Sequence, residues 1–200
     1  RMGDFYETFD EDARLTSGIL GIALTKRANG AAASVPLAGF PHHSLEQHLH
    51  KLLKAGHRVA ICEQVEDPKL AKGIVKREVV EVISPGTAMS DRYLEQNENN
   101  YLCSVVLENH KCGIAVLDHS TGEFQTCSRN QSELLNLIKQ FNVSEVIIPE
   151  GQEKDLRVLL QGEVMFTTQI PDWCKTFDAA YETLTSFFDV STLKGYGIEE

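Results

Sequence analysis

No stretch of the 200-residue chain approaches the roughly 20 consecutive apolar residues needed to cross a bilayer, because charge interrupts every hydrophobic run within a few positions. The start carries no basic and apolar leader, and the first residue is Arg1 rather than methionine, so the expectation is an excised piece of a longer, soluble, cytoplasmic protein. Cysteine is sparse. Cys62, Cys103, Cys112, Cys127 and Cys174 form an odd set without any Cys-x-x-Cys spacing, which argues for reduced thiols over a disulfide framework or a zinc ribbon. A Gly-x4-Gly-Lys-Ser/Thr phosphate loop is missing, as are internal repeats and low-complexity tracts. Basic residues are few as well, 19 Lys plus Arg against 29 Asp plus Glu. A net charge of -10 speaks against a nucleic-acid partner, since phosphate binding normally shows as a basic excess.

The distribution of charge changes that argument. Residues 1–90 hold eleven basic and eleven acidic side chains, and the remaining residues hold eight and eighteen. The first part is therefore neutral and also carries His42, His43, His48, His50 and His57, a balance compatible with a polyanion. The acidic second part is suited to a different partner.

The length can bury one large core or two modest ones, since folding units run to roughly 100 to 200 residues. Residues 85–100 gather Pro85, Gly86, Ser90, Asp91, Asn97, Asn99 and Asn100, turn-forming chemistry that marks the connection. The division expected is residues 1–88, a linker over 89–96, and residues 97–200. In the first unit Tyr6, Phe9 and Ala13 stand at helical spacing, so a helix is predicted over 6–17 with Asp4 as N-cap and Gly18 as stop. Strands are predicted over 19–25 and 35–40 around a loose 28–34 loop, making a hairpin. A helix over 44–55 follows, with a Ser44/Gln47 capping box, a Leu45, Leu49, Leu52 and Leu53 stripe, and Gly56 as its end. Strands over 58–65 and 75–84 flank a helical turn at 67–72.

The second unit opens with strand-like runs at 101–107, 113–118 and 123–127, an antiparallel meander. Helix, strand, helix and strand follow at 132–141, 145–148, 154–161 and 164–166. That order is also the order of a ribonuclease H-like fold. The fold class expected is thus mixed α/β in both units.

Several short motifs stand out: Arg1-Met2-Gly3-Asp4-Phe5-Tyr6-Glu7-Thr8-Phe9, Leu24-Thr25-Lys26-Arg27, Ala38-Gly39-Phe40-Pro41-His42-His43, Val59-Ala60-Ile61-Cys62-Glu63-Gln64 and Ile83-Ser84-Pro85-Gly86-Thr87. In this order they resemble the mismatch-recognition domain of the MutS family of DNA mismatch-repair proteins. Leu117-Asp118-x-Ser120-Thr121-Gly122 is similar to the start of that family's connector domain, which is ribonuclease H-like. The resemblance implies that Phe5 stacks on a mispaired base from the minor groove and that Glu7 hydrogen-bonds the base. By local pattern alone Phe5 is more simply a buried staple ahead of a helix and Glu7 a first-turn carboxylate. The surrounding motifs reverse that preference.

Physical chemistry makes the implied pair intelligible. Inserting an apolar wedge unstacks a base step at a cost of about a few kcal/mol, least where pairing is already defective. Mismatches share no hydrogen-bond code, so a reader of all of them relies on stacking and ease of kinking. A carboxylate near phosphates penalises intact duplex unless a base compensates it. Tyr6 and Phe9 are expected to start the apolar face of the helix. Lys26 and Arg27 at a strand end, Lys76 and Arg77 on a later one, and Leu37 on the hairpin are the further DNA-contact candidates.

His43, Glu46 and His50 share a helix face, but no further ligand accompanies them and no metal is predicted. Asp118 stands where a ribonuclease H-like nuclease would place its first metal-binding carboxylate, which makes a metal-dependent nuclease the rival reading. Residues 1–200 are expected to be a binding module without catalysis or cofactor of their own. The resemblance further implies ATP and Mg at a C-terminal ATPase outside these residues and a homodimer of the full-length protein. Mismatched duplex DNA is the partner expected, with a MutL-like repair protein a second one for the acidic connector, and no membrane.

Overall fold

Phe5–Phe9 form a β-strand (β1), which overturns the helix predicted from residue 6. The three aromatics and the β-branched Thr8 of Phe-Tyr-Glu-Thr-Phe suit a pleated surface, and the stretch finds an antiparallel partner from Phe5↔Pro41 to Phe9↔Leu37. Helix α1 (Asp10–Leu20) begins only after it, and only Ala13 of the expected helical trio belongs to it. The turn between them sets Asp10 at φ +52°, a left-handed conformation that Asp tolerates better than most residues. The helix runs through the expected stop at Gly18 and ends at Gly21, whose φ of 68° allows its N–H to cap Ser17 O at 2.9 Å. The strand expected over 19–25 accordingly starts later, as β2 (Thr25–Asn29).

This computed structural model describes residues 1–29, 32–66, 73–88 and 99–198. The helical turn expected at 67–72 and the linker at 89–96 lie outside the described residues. Two compact units result: Arg1–Asn100 with His119–Thr121, and Tyr101–Asp118 with Gly122–Glu200.

The first unit continues with β3 (Ala32–Pro41), a single 3-10 turn at His42–Ser44, α2 (Leu45–Lys54), β4 (Val59–Gln64) and β5 (Arg77–Ile83). One antiparallel sheet has the order β1-β3-β2, and β4 and β5 pair as a separate hairpin. The capping box expected at Ser44 is absent. The preceding 3-10 turn already places Ser44 at φ -95°, ψ 9°, so its side chain makes no cap bond. The other end matches the expectation: Gly56, at φ +80°, donates to Leu53 O at 2.8 Å while His57 N donates to Leu52 O at 3.1 Å. Leu49, Leu52 and Leu53 of α2 are buried. They divide between two small core clusters, Leu49 and Leu53 with Ile61, Ile83 and Ala88, and Leu52 with Leu20 and Phe40. Tyr6 packs against both, on the inner face of β1.

The second unit comprises β6 (Tyr101–Glu108), β7 (Lys111–Asp118), β8 (Glu123–Asn130), α3 (Leu134–Gln140), β9 (Val143–Pro149), α4 (Glu153–Leu159), β10 (Phe166–Ile170) and α5 (Phe177–Phe188). The sheet order is β10-β9-β6-β7-β8, with an antiparallel β6-β7-β8 meander and β9 and β10 added in parallel on the other side. That is the ribonuclease H-like arrangement. Strand β7 alternates, burying Cys112, Ile114, Val116 and Asp118, whereas interior β9 has buried residues on both faces, Glu145 among them. The last strand starts two residues later than expected, since Val164 is fully exposed. Helix α5 had no counterpart among the expected elements; none of its side chains is fully buried. Among the described residues no helix is long and apolar enough to cross a membrane.

Candidate nucleic-acid interface

Strand geometry gives the Phe-x-Glu spacing its meaning. Side chains two apart on a strand point the same way, so Phe5, Glu7 and Phe9 share one face of β1 while Tyr6 and Thr8 take the other. Tyr6 turns inward, its ring centroid 6.1 Å from that of the buried Phe40. Phe5 and Phe9 remain 45% and 40% exposed, and Glu7 is half-buried. A buried staple is excluded for Phe5. Phe9, expected on the apolar side of a helix, instead lines the same open face.

Across from this trio, β3 contributes Pro41, Gly39 and Leu37. Gly39 stands directly opposite Glu7. A Cβ at this position would lie 2.9 Å from Tyr6 O and 3.2 Å from Glu7 Cγ, so any larger residue would displace backbone or move the carboxylate. The need here is close approach, a common reason for glycine inside a strand. Leu37, the remaining apolar candidate, is half-buried, opposite Phe9 on one side and Thr25 on the other.

The turn before β1 fixes where Phe5 stands. Met2 N donates to Phe5 O at 2.7 Å and Phe5 N to Met2 O at 3.2 Å, with Gly3 at φ +60° between them. His42 N donates to Asp4 O at 2.8 Å from the β3 side. The β4–β5 hairpin holds the segment too: the backbone nitrogen of Arg1 donates to Cys62 O at 2.5 Å, and Arg77 Nε donates to Arg1 O at 2.8 Å. Glu63 accepts the Tyr6 hydroxyl and pairs with Arg1 at 3.5 Å.

The basic candidates are scattered. Lys26 is exposed on the edge strand β2 opposite Pro36, and Arg27 follows it opposite Val35. Lys76 is exposed and pairs with Glu78 at 2.5 Å. Arg77 donates to the carbonyls of Arg1 and Val75, so its guanidinium is engaged in holding the segment before Phe5. The sheet thus brings Phe5, Glu7 and Leu37 to one face, Lys26 stands in the register of the other face, and Lys76 and Arg77 belong to the separate hairpin.

The second unit shows less that could act on a ligand. Asp118, fully buried, closes β7, and Glu145 on β9 accepts a bond from Thr168 Oγ1 at 2.6 Å. Among the described residues no three His, Cys, Asp or Glu side chains form a group able to hold a metal ion. Cys103 is equally quiet: burial, reinforced by Cys127 and Cys112, pushes its thiol up to about 12. Burial raises Cys112 in the same direction.

Comparison with known proteins agrees with the two-unit architecture. Residues 1–92 match the family model described as MutS domain I, and residues 100–200 match MutS domain II. The chain is similar to the DNA mismatch repair protein MutS of Flavobacterium johnsoniae, at 48% identity over 200 residues. It is similar also to its counterparts in Cytophaga hutchinsonii, at 46% over 200 residues, and Chlorobaculum parvum, at 43% over 205. Each alignment takes in the whole of this chain and 23% of the relative, so the chain spans about a quarter of the length of these relatives. By both of its domains, this chain belongs to the MutS family.

Proposed function

We propose that this chain carries the mismatch-reading part of a DNA mismatch-repair protein. Phe5 inserts from the minor groove and stacks on a mispaired or unpaired base, and Glu7 accepts a hydrogen bond from that base. One observation carries the reading: Phe5 and Glu7 project from the same face of one strand, with Phe5 largely open to solvent and Glu7 set against a glycine. Phe5 and Phe9 together leave an apolar patch on the face that also carries the positioned carboxylate, an arrangement suited to a ligand.

The division of labour follows from charge and geometry. Stacking on an aromatic is worth about 1–3 kcal/mol per base and is available to any base, so Phe5 tests how readily the duplex yields. Glu7 opposes approach to phosphates unless a base offers it a proton, which disfavours intact duplex. Leu37 adds apolar lining, and Lys26 and Arg27 supply phosphate contacts that position without specifying. Lys76 gives a further phosphate contact, with Arg77 beside it. The acidic second unit, as a connector, docks a protein such as a MutL-like repair factor. In the full-length protein a homodimer and an ATPase using ATP and Mg complete the machine; residues 1–200 bind and do not catalyse.

The test is competition between a mismatched oligonucleotide and its matched version for the full-length protein at fixed salt. Phe5→Ala is expected to reduce the mismatch-to-matched affinity ratio about 5- to 100-fold, the loss of one stacking contact. Glu7→Ala is expected to raise affinity for matched duplex. Equal discrimination by wild type and Phe5→Ala would refute the proposal.

A further inference from the structure

An inserting side chain must hold its place while the base stack resists, and the first residue of a strand is where pairing is weakest. Phe5 is that residue. Its neighbours on both sides are nevertheless tied to one carboxylate on a different element. Glu63 of β4 accepts the hydroxyl of Tyr6, the residue after Phe5, through Oε1, and its Oε2 lies 3.5 Å from Arg1, in the turn before Phe5. Arg1 passes the restraint on, its Nε donating to Gly3 O at 3.0 Å and its carbonyl accepting from Arg77 Nε at 2.8 Å.

Strand pairing supplies no reason for a carboxylate at this position. Glu63 stands opposite Glu78 on β5, and like charges directly across a ladder are destabilising. Arg1 answers one of these carboxylates and Lys76, at 2.5 Å, the other. The Glu63 side chain is 26% exposed and that of Arg1 32%, so their pairing is less screened than a bridge in open water. We infer that Glu63 is a positioning residue for base insertion, clamping the Arg1-to-Tyr6 segment so that Phe5 is presented at a fixed height above the open face of its sheet. The inference rests on the reading of Phe5 as the inserting residue.

The clamp is tested in the full-length protein with Tyr6→Phe, which deletes one hydroxyl, Glu63→Gln, which keeps the shape and removes the charge that pairs with Arg1, and the double variant. Three quantities are read: the affinity ratio for mismatched over matched duplex, the matched-duplex affinity itself, and the fluorescence of a 2-aminopurine placed beside the mismatch, which reports unstacking. Each single variant is expected to lower the ratio about fivefold and to dim the unstacking signal while matched affinity stays unchanged. The double variant is expected to fall short of the product of the singles because both changes strike one network. An unaltered ratio and signal in Tyr6→Phe overturns the inference, and so does an equal fall in both affinities, the mark of a purely structural role. Should Glu63→Gln fail to fold, Tyr6→Phe alone decides. Phe5→Ala runs in parallel: if it keeps discrimination the insertion reading itself falls, whereas if it loses discrimination and Tyr6→Phe does not, only the clamp falls.

Discussion

The two units build their cores differently. In the second, one continuous core takes in Cys103, Val105, Ile114, Leu134, Val146 and Ile148 among its buried members, drawn from the central strands and the helices packed on them. In the first, two smaller clusters share the half-buried Tyr6, Leu45 and Val59, while Phe5 and Phe9 remain outside on the open side of a three-stranded sheet. Charge divides along a similar line, neutral before residue 90 and acidic after it. The difference is one of cohesion: the first unit divides its core between two clusters, and the second gathers most of its buried residues into one.

The sharpest way to break that contrast is Ile148→Ala in the second unit. Ile148 is fully buried, and truncation should cost about 2–5 kcal/mol. The loss should appear as reduced hydrogen-exchange protection in β6 and β9. Exchange rates unchanged from wild type would show that this core is less continuous than described. Phe5→Ala, by contrast, should leave stability nearly untouched and remove discrimination.

Gly39→Ala comes next, because it strikes the boundary between shape and contact. The added methyl meets Tyr6 O and Glu7 Cγ, and relieving that overlap should cost about 1–3 kcal/mol. Protection along β1 and β3 is expected to fall and mismatch preference to fall with it. A variant with normal exchange and normal preference would mean that Glu7 has more freedom than its neighbours imply.

The smallest effect expected concerns His48. Its ring lies 4.4 Å from that of Phe40, and Nδ1 is buried with no hydrogen-bond partner among the described residues. Burial, with Lys51 adding to it, lowers its pKa below the ordinary 6.5. The folded state therefore favours the neutral ring: this contribution is complete above pH 6.5 and is lost as the pH falls through the lower folded value. Amide protection in α2, corrected for intrinsic exchange, should weaken between pH 7 and pH 5 and should do so less in His48→Gln. Identical profiles for the two proteins would remove His48 as the cause.

Much of this arrangement is legible in the residues themselves. Strands β6 and β7 alternate, and α2 carries a leucine stripe with Gly56 at its end, so local pattern and final structure agree. The stretch Phe5–Phe9 is harder because its aromatics satisfy both a helical and an alternating period. The partner that decides between them, β3, lies about thirty residues downstream. Gly39 shows the same difficulty from the other side: its neighbour in space is Glu7, far away in sequence. Arg77 looked like a free cation because its two carbonyl partners include that of Arg1, at the other end of the unit. The Phe5-x-Glu7 interval is legible whichever element bears it, but only the strand puts the two side chains on one face.

That interval has a consequence for how the site can vary. On a strand, adding or removing one residue reverses the side on which everything beyond it emerges. A change of one residue between Phe5 and Glu7 would put the two side chains on opposite faces. The open face of β1 therefore behaves like a reading frame: substitutions adjust its meaning by degrees, whereas a single-residue insertion or deletion between Phe5 and Glu7 makes it unreadable.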